Sequence, residues 1–141
     1  MPTLRSQPQR AGLVAVGGAA GLVAACDVAL AVDGVWFGFT EVRLGLVPAT
    51  IAPYVIDKIG PGQALLRFLS GDLFDALLAQ EIGLIDLAVD EENFDDLVDG
   101  WVEELVQGGP QALAACKRLV RTVVSLPREK VDAYTLSLIH I

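Results

Sequence analysis

The chain has 141 residues, 53% of them hydrophobic and 20% charged, which excludes a disordered composition and is enough for one domain with a real core. Its formal net charge is −8 with no basic stripe, which excludes a nucleic-acid binder; the acidic residues between 90 and 99 read as a solvated helix entry. Mean hydropathy of +0.53 asks for either a membrane span or a strongly buried interior, such as one covered by partner subunits.

In chain order, residues 1–12 read as a disordered or non-native leader with no apolar signal-peptide core. The best span candidate is 13–32, but its apolar run ends at Cys26, short of the roughly 18–20 residues a span needs. Asp27 inside a span would cost roughly 2.5–3.5 kcal/mol, so no membrane span is expected and the segment reads as core. Residues 13–16 read as a strand broken by Gly17 and Gly18, and 19–26 as a short helix of small residues buried all round. The continuous apolar run 28–32 reads as a strand covered on both faces. Asp33-Gly34 is a turn, and the aromatic stretch 35–40 another strand.

A loop at 45–48 precedes a helix over 49–59, with Pro53 in its first turn, Gly60 as its C-cap and Pro61 beyond. A helix over 63–69 follows. Asp72 is the expected N-cap of another, 73–82, and 84–89 is a short strand interrupted by Asp86. Phe94, Leu97, Trp101, Val102 and Leu105 recur at helical spacing, and Pro110 stands near N1 of a last helix over 111–126. Short strands alternating with helices, then helices alone, give a mixed α/β class. Cys26 and Cys116 form neither a disulfide framework nor a metal pattern and read as small core residues in a reducing compartment; no metal site is expected.

Two places have the makings of chemistry. Gly17-Gly18-Ala19-Ala20-Gly21 stands where a strand turns into a helix, where unpaired N–H groups and the positive end of the helix dipole can hold a phosphate or a developing oxyanion. The spacing is not G-x-G-x-x-G, and tight packing of small residues explains the same glycines. Glu41 follows an apolar aromatic segment and precedes the 45–48 loop; a carboxylate beside an apolar wall is a candidate general acid or base, since desolvation favours the protonated form. The other reading is an exposed strand-end glutamate, or one paired with Arg43. His140, the single histidine, has no nucleophile motif near it.

Three segments, Gly-Gly-Ala-Ala-Gly-Leu-Val-Ala-Ala-Cys-Asp at 17–27, Phe-Gly-Phe-Thr-Glu-Val-Arg-Leu-Gly-Leu-Val-Pro at 37–48 and Ala-Gln-Glu-Ile-Gly-Leu-Ile at 79–85, occur in the order and spacing of the enoyl-CoA hydratase/isomerase (crotonase) family, with fourteen positions from Asp27 to Glu41. The chain resembles the C-terminal part of that family from about Gly17 to Thr122, and the segment 47–55 is similar to bacterial methylglutaconyl-CoA hydratases. The resemblance implies a partial crotonase fold, an α/β spiral of short buried strands followed by a helical C-terminal half, over 13–135, with 136–141 a non-native tail. It implies an acyl-CoA substrate bound with its thioester carbonyl between two N–H groups, one of them at Gly18. Glu41 is implied as the proton-handling residue, with Gly17, Gly21 and Pro48 against the substrate. No cofactor is implied beyond the CoA of the substrate.

Gly21 stands where classical hydratases carry a second glutamate, and the glycine expected before Gly17-Gly18 falls one position off, at Gly12. The family's N-terminal half, with the other N–H and much of the CoA pocket, lies outside this sequence. A full-length parent is implied to be a cytoplasmic homotrimer or hexamer in leucine, isoprenoid or fatty-acid catabolism. The alternatives are a catalytically inactive scaffold built on the same fold, and a nucleotide-binding module using the glycine turn.

Overall fold

The computed structural model describes residues 13–139; the expected leader at 1–12 and His140 lie outside them. The chain divides into two compact units, Met1–Asp95 and Asp96–Ile141.

In the first unit, strand β1 (Val14–Val16) leads into helix α1 (Gly18–Ala25), followed by β2 (Leu30–Val32), β3 (Trp36–Gly38) and a 3-10 turn, Glu41–Leu44. Next come α2 (Ala52–Ser70), β4 (Leu73–Asp75), α3 (Ala76–Glu81) and β5 (Leu87–Val89). Helix α4 (Glu91–Val106) starts there and lies mostly in the second unit, with α5 (Pro110–Ser125) and α6 (Arg128–Ser137). Short strands with helices in the first unit and helices alone in the second match the α/β class expected from the sequence.

The strands form two small sheets. One has the order β1-β3-β4, with β1 and β3 parallel (Val16 opposite Gly38) and β3 and β4 antiparallel (Phe37 opposite Phe74). The other pairs β2 with β5 in parallel, Ala31 opposite Ala88. The core gathers Phe37, Phe39 and Phe74 with Val55, Leu84 and Ile85 and a set of buried alanines. Phe39 meets Phe68 edge to face at 5.3 Å, the arrangement the ring quadrupoles favour. The alanines and Gly21 let α1 lie close against its neighbours, so the small residues at 20, 21 and 24 form its buried side; the helix is not buried all round as expected, since Leu22 is 73% exposed.

Local signals place most boundaries. Gly60, at φ 77 and ψ 162, is non-helical and breaks α2 just before Pro61, so the two helices expected on either side of it are present. Pro110 opens α5, where its missing N–H is no loss.

Further expectations need correction. Residues 73–75 are a strand, because Phe74 enters the core beside Phe37 and the segment pairs with β3. The cap of the following helix is Asp75, whose Oδ1 accepts from Leu78 N–H at 2.8 Å; Asp72 instead pairs with Arg43. The run 28–32 is not covered on both faces: Val28 is exposed, and only alanines 29 and 31 are buried. Both cysteines are exposed. Ala115 is the buried position beside Cys116, and a helix turns about 100° per residue, so Cys116 faces away; Cys26 is the extended C-cap of α1, beyond its buried side.

Candidate functional site

The parallel pairing of β1 with β3 builds the site. Because the two strands run the same way, their C-terminal ends exit at the same end of the sheet, and Gly17 N–H donates to Gly38 O at 3.0 Å just beyond the last register pair. The chain after β1 therefore turns into α1 beside the chain after β3, which brings Gly17 and Gly18 to Glu41 across more than twenty residues of sequence.

Gly17 is the N-cap of α1 with φ 53 and ψ −122, a backbone that side-chain-bearing residues rarely adopt. It offers no side-chain cap, so the first N–H groups of α1, beginning at Gly18, keep the unpaired character of a helix start. Gly18 is exposed, with open space where a Cβ would stand.

Glu41 is not at a strand end. It is the first residue of the 3-10 turn, three residues past β3, and its backbone carbonyl accepts from Leu46 N–H at 3.1 Å. Gly45, left-handed at φ 71, closes that turn. The side chain points at the glycine turn: Oε1 lies 3.2 Å from where a Cβ on Gly17 would be. Oε2 is buried and has no hydrogen-bond partner among the described residues. Arg43 pairs with Asp72 instead, its Nη2 donating to Asp72 Oδ1 at 3.0 Å. A buried carboxylate oxygen without a donor is costly unless a further group satisfies it. Here it stands at the positive end of α1, a place suited to passing a proton to and from a bound molecule.

Gly21 lies one helical turn beyond Gly17, its N–H donating to Gly17 O at 3.0 Å. It is buried, and a Cβ there would come within 2.2 Å of Ile51 Cγ2. Pro48 is partly buried, and its carbonyl accepts from Ile51 N–H at 3.2 Å and Ala52 N–H at 2.9 Å. Its link to the glycine helix thus runs through Ile51. The sequence carried no signal for Ile51, which sits at the N-cap of α2, thirty residues from the glycine it covers.

Further back, Lys58 Nζ donates to Cys26 O at 3.2 Å and Asp27 O at 3.4 Å, holding the C-terminal end of α1. Asp86 Oδ2 stands 3.9 Å from that ammonium and accepts from Ala29 N–H at 2.7 Å. Among the described residues no group of three or more His, Cys, Asp or Glu side chains could hold a metal ion. No helix among them is long and apolar enough to cross a membrane.

The sequence model of the family described as Enoyl-CoA hydratase/isomerase matches residues 12–140. Enoyl-CoA hydratase AKT6-1 of Alternaria alternata is 35% identical over 108 residues, which are 76% of this chain and 36% of that protein. The probable enoyl-CoA hydratase EchA17 of Mycobacterium tuberculosis is 35% identical over 121 residues, 84% of this chain and 46% of its own length. Among solved structures, an enoyl-CoA hydratase from Shewanella pealeana superposes with a TM-score of 0.84 at 31% identity, covering 91% of this chain and 48% of that one. The chain spans about half the length of the solved relatives and less than half of these curated ones.

Proposed function

We propose, from the premise that this chain belongs to the enoyl-CoA hydratase/isomerase family, that it carries one oxyanion donor and the proton-transfer carboxylate of a site adding water to an α,β-unsaturated acyl-CoA. The observation behind this is the Glu41 carboxylate, its Oε2 buried without a partner among the described residues, lying against the Gly17 turn at the N-terminus of α1.

The chemistry follows from that placement. As water attacks the β-carbon, Glu41 takes its proton and the electron pair of the C=C bond moves onto the thioester oxygen. The N–H of Gly18, at the positive end of α1, stabilises that enolate charge; a donor of this kind is worth roughly 2.7–4 kcal/mol, about 10²–10³ in rate. The same carboxyl then returns its proton to the α-carbon, which closes the balance with no net proton change. No cofactor is needed beyond the CoA of the substrate. A second carboxylate is not offered from position 21, where any side chain would collide with Ile51. One carboxylate then serves both transfers.

The second N–H and the rest of the CoA pocket come from outside this span, in a full-length parent read as a cytoplasmic homotrimer or hexamer. The similarity of the 47–55 segment to methylglutaconyl-CoA hydratases supports a methylglutaconyl-CoA-like substrate and a place in leucine degradation. A scaffold without catalysis is the second reading, favoured by exposed apolar side chains such as Val14, Leu44 and Val47.

The test is turnover of crotonyl-CoA and methylglutaconyl-CoA by this chain joined to the segment that supplies the second N–H and the rest of the CoA pocket, and by its Glu41→Gln variant. The expected result is a loss of at least about 10²-fold in kcat, with thioester affinity kept. Hydration undiminished in Glu41→Gln overturns the mechanism, and no hydration by the unaltered protein favours the scaffold.

A further inference from the structure

Helix α1 brings no capping side chain at its start and no basic residue in its last turn, and at eight residues it is too short to be stable without tertiary support. Support comes from α2, which touches it at two places. Ile51, at the start of α2, covers Gly21. Lys58, about two turns further along the same face, reaches just past the other end of α1: its Nζ donates to Cys26 O at 3.2 Å and to Asp27 O at 3.4 Å. The Lys58 side chain is only 17% exposed, and Asp86 Oδ2 stands 3.9 Å from its ammonium. That same oxygen accepts from Ala29 N–H at 2.7 Å, and Asp86 N–H donates to Ala29 O at 2.7 Å. The lysine takes carbonyls and the aspartate takes an N–H, so together they fix the chain from Cys26 to Ala29, where it leaves α1. A cation in this place also complements the negative end of the helix dipole.

We propose that Lys58 is a positioning residue, which keeps the Gly18 N–H aimed beside Glu41 by holding the far end of α1. The proposal rests on the hydration reading. At its start α1 is held by Gly17 N–H on Gly38 O, and in its middle Gly21 bears on Ile51. Lys58 supplies the third point of support, and without it the helix can pivot on the Ile51 contact. Along the helix axis Cys26 lies about 7.5 Å from Gly21 on one side and Gly18 about 4.5 Å on the other. A shift of about 1 Å where the chain leaves α1 then swings the Gly18 N–H by about 0.6 Å the opposite way. Misplacing a group by about 1 Å at a reacting centre can cost about 10²-fold, so a swing of this size is worth about tenfold in rate. Lys58 acts through the donor and not on the substrate.

The test measures kcat and KM for crotonyl-CoA in this chain joined to the segment that supplies the second N–H and the rest of the CoA pocket. Lys58→Met removes the ammonium and keeps the apolar stem. It should lower kcat about tenfold, with KM changed by less than about twofold. Gly18→Pro removes the donor itself at the first helical position, where proline is tolerated. In that background Lys58→Met should lower kcat by less than about twofold, because the group it positions is gone. Lys58→Gln, which keeps an N–H donor on a stem one atom shorter, should show the same non-additivity with a smaller loss, and it carries the test where the methionine variant does not fold. Equal losses in both backgrounds give Lys58 a merely structural role and overturn the proposal, as does the absence of any loss in the glycine background. Amide hydrogen exchange in the same protein reads the support without turnover. In Lys58→Met the amides of Leu22–Ala25 should exchange at least about tenfold faster, while those of α5 keep their rates. Unchanged exchange in α1 overturns the support. No hydration by the unaltered joined protein overturns the hydration reading, and this proposal with it, while the exchange still shows whether Lys58 holds α1.

Discussion

Replacing Gly17 by alanine, with Gly18→Ala as its control, tests the turn on which the site is built. Both variants add one methyl and both restrict the unfolded chain, which by itself stabilises by about 0.4–1 kcal/mol. That contribution cancels in the comparison. At Gly18 the methyl meets open space. At Gly17 it is forced onto a backbone at φ 53 and ψ −122, and it stands 3.2 Å from Glu41 Oε1. Holding a residue with a Cβ in a sparsely populated region costs about 1–3 kcal/mol. Gly17→Ala should therefore be less stable than Gly18→Ala by about 1–3 kcal/mol. Urea unfolding followed by fluorescence reports it, since Trp36 lies on β3, whose end is bonded to Gly17 through Gly38. With a slope of about 2 kcal/mol per molar urea, the two midpoints should differ by about 0.5–1.5 M. Midpoints that agree within about 0.2 M would show that Gly17 is not strained and that its glycine is not required for the turn.

Three further outcomes follow from the structure. Asp75→Ala removes the cap on Leu78 N–H and should cost about 1 kcal/mol; Asp72→Ala breaks only a pair exposed on both sides and should cost between about 0 and 1 kcal/mol. The same urea titration orders them, and a larger loss at Asp72 would contradict the assignment of the cap. Phe39→Ala empties a position that is 1% exposed between Phe68 and Phe74 and should cost about 3–5 kcal/mol, a large part of a small domain's stability, seen as loss of cooperative unfolding or a sharply lowered midpoint. Cys26 and Cys116 should both react with a chromogenic thiol reagent in the absence of denaturant, two equivalents per chain; protection of either until unfolding would contradict its exposure.

What the sequence determined by itself is what short-range chemistry controls. Gly60-Pro61 breaks a helix because one residue lacks a Cβ and the next lacks an N–H. Pro110 starts one for the complementary reason. The glycine pair at 17 and 18 marks a strand-to-helix turn, and the separation of Asp27 from Glu41 marks the family. These signals lie within a few residues of what they specify.

What the tertiary structure decided depends on residues far apart in the chain. Residues 73–75 form a strand because β3 offers them a ladder and Phe37 a neighbour for Phe74, and the helix cap moves to Asp75 as a consequence. Arg43 goes to Asp72 while Glu41 Oε2 is left without a partner among the described residues, and no local rule chooses between those carboxylates. Gly21 reads in sequence as a small residue in a run of small residues; its glycine is required by Ile51, which only the packing of α1 against the start of α2 brings within reach. Even Glu41, recognisable from its surroundings in sequence, meets the Gly17 turn only because β1 and β3 run parallel and deliver it to the N-terminus of α1.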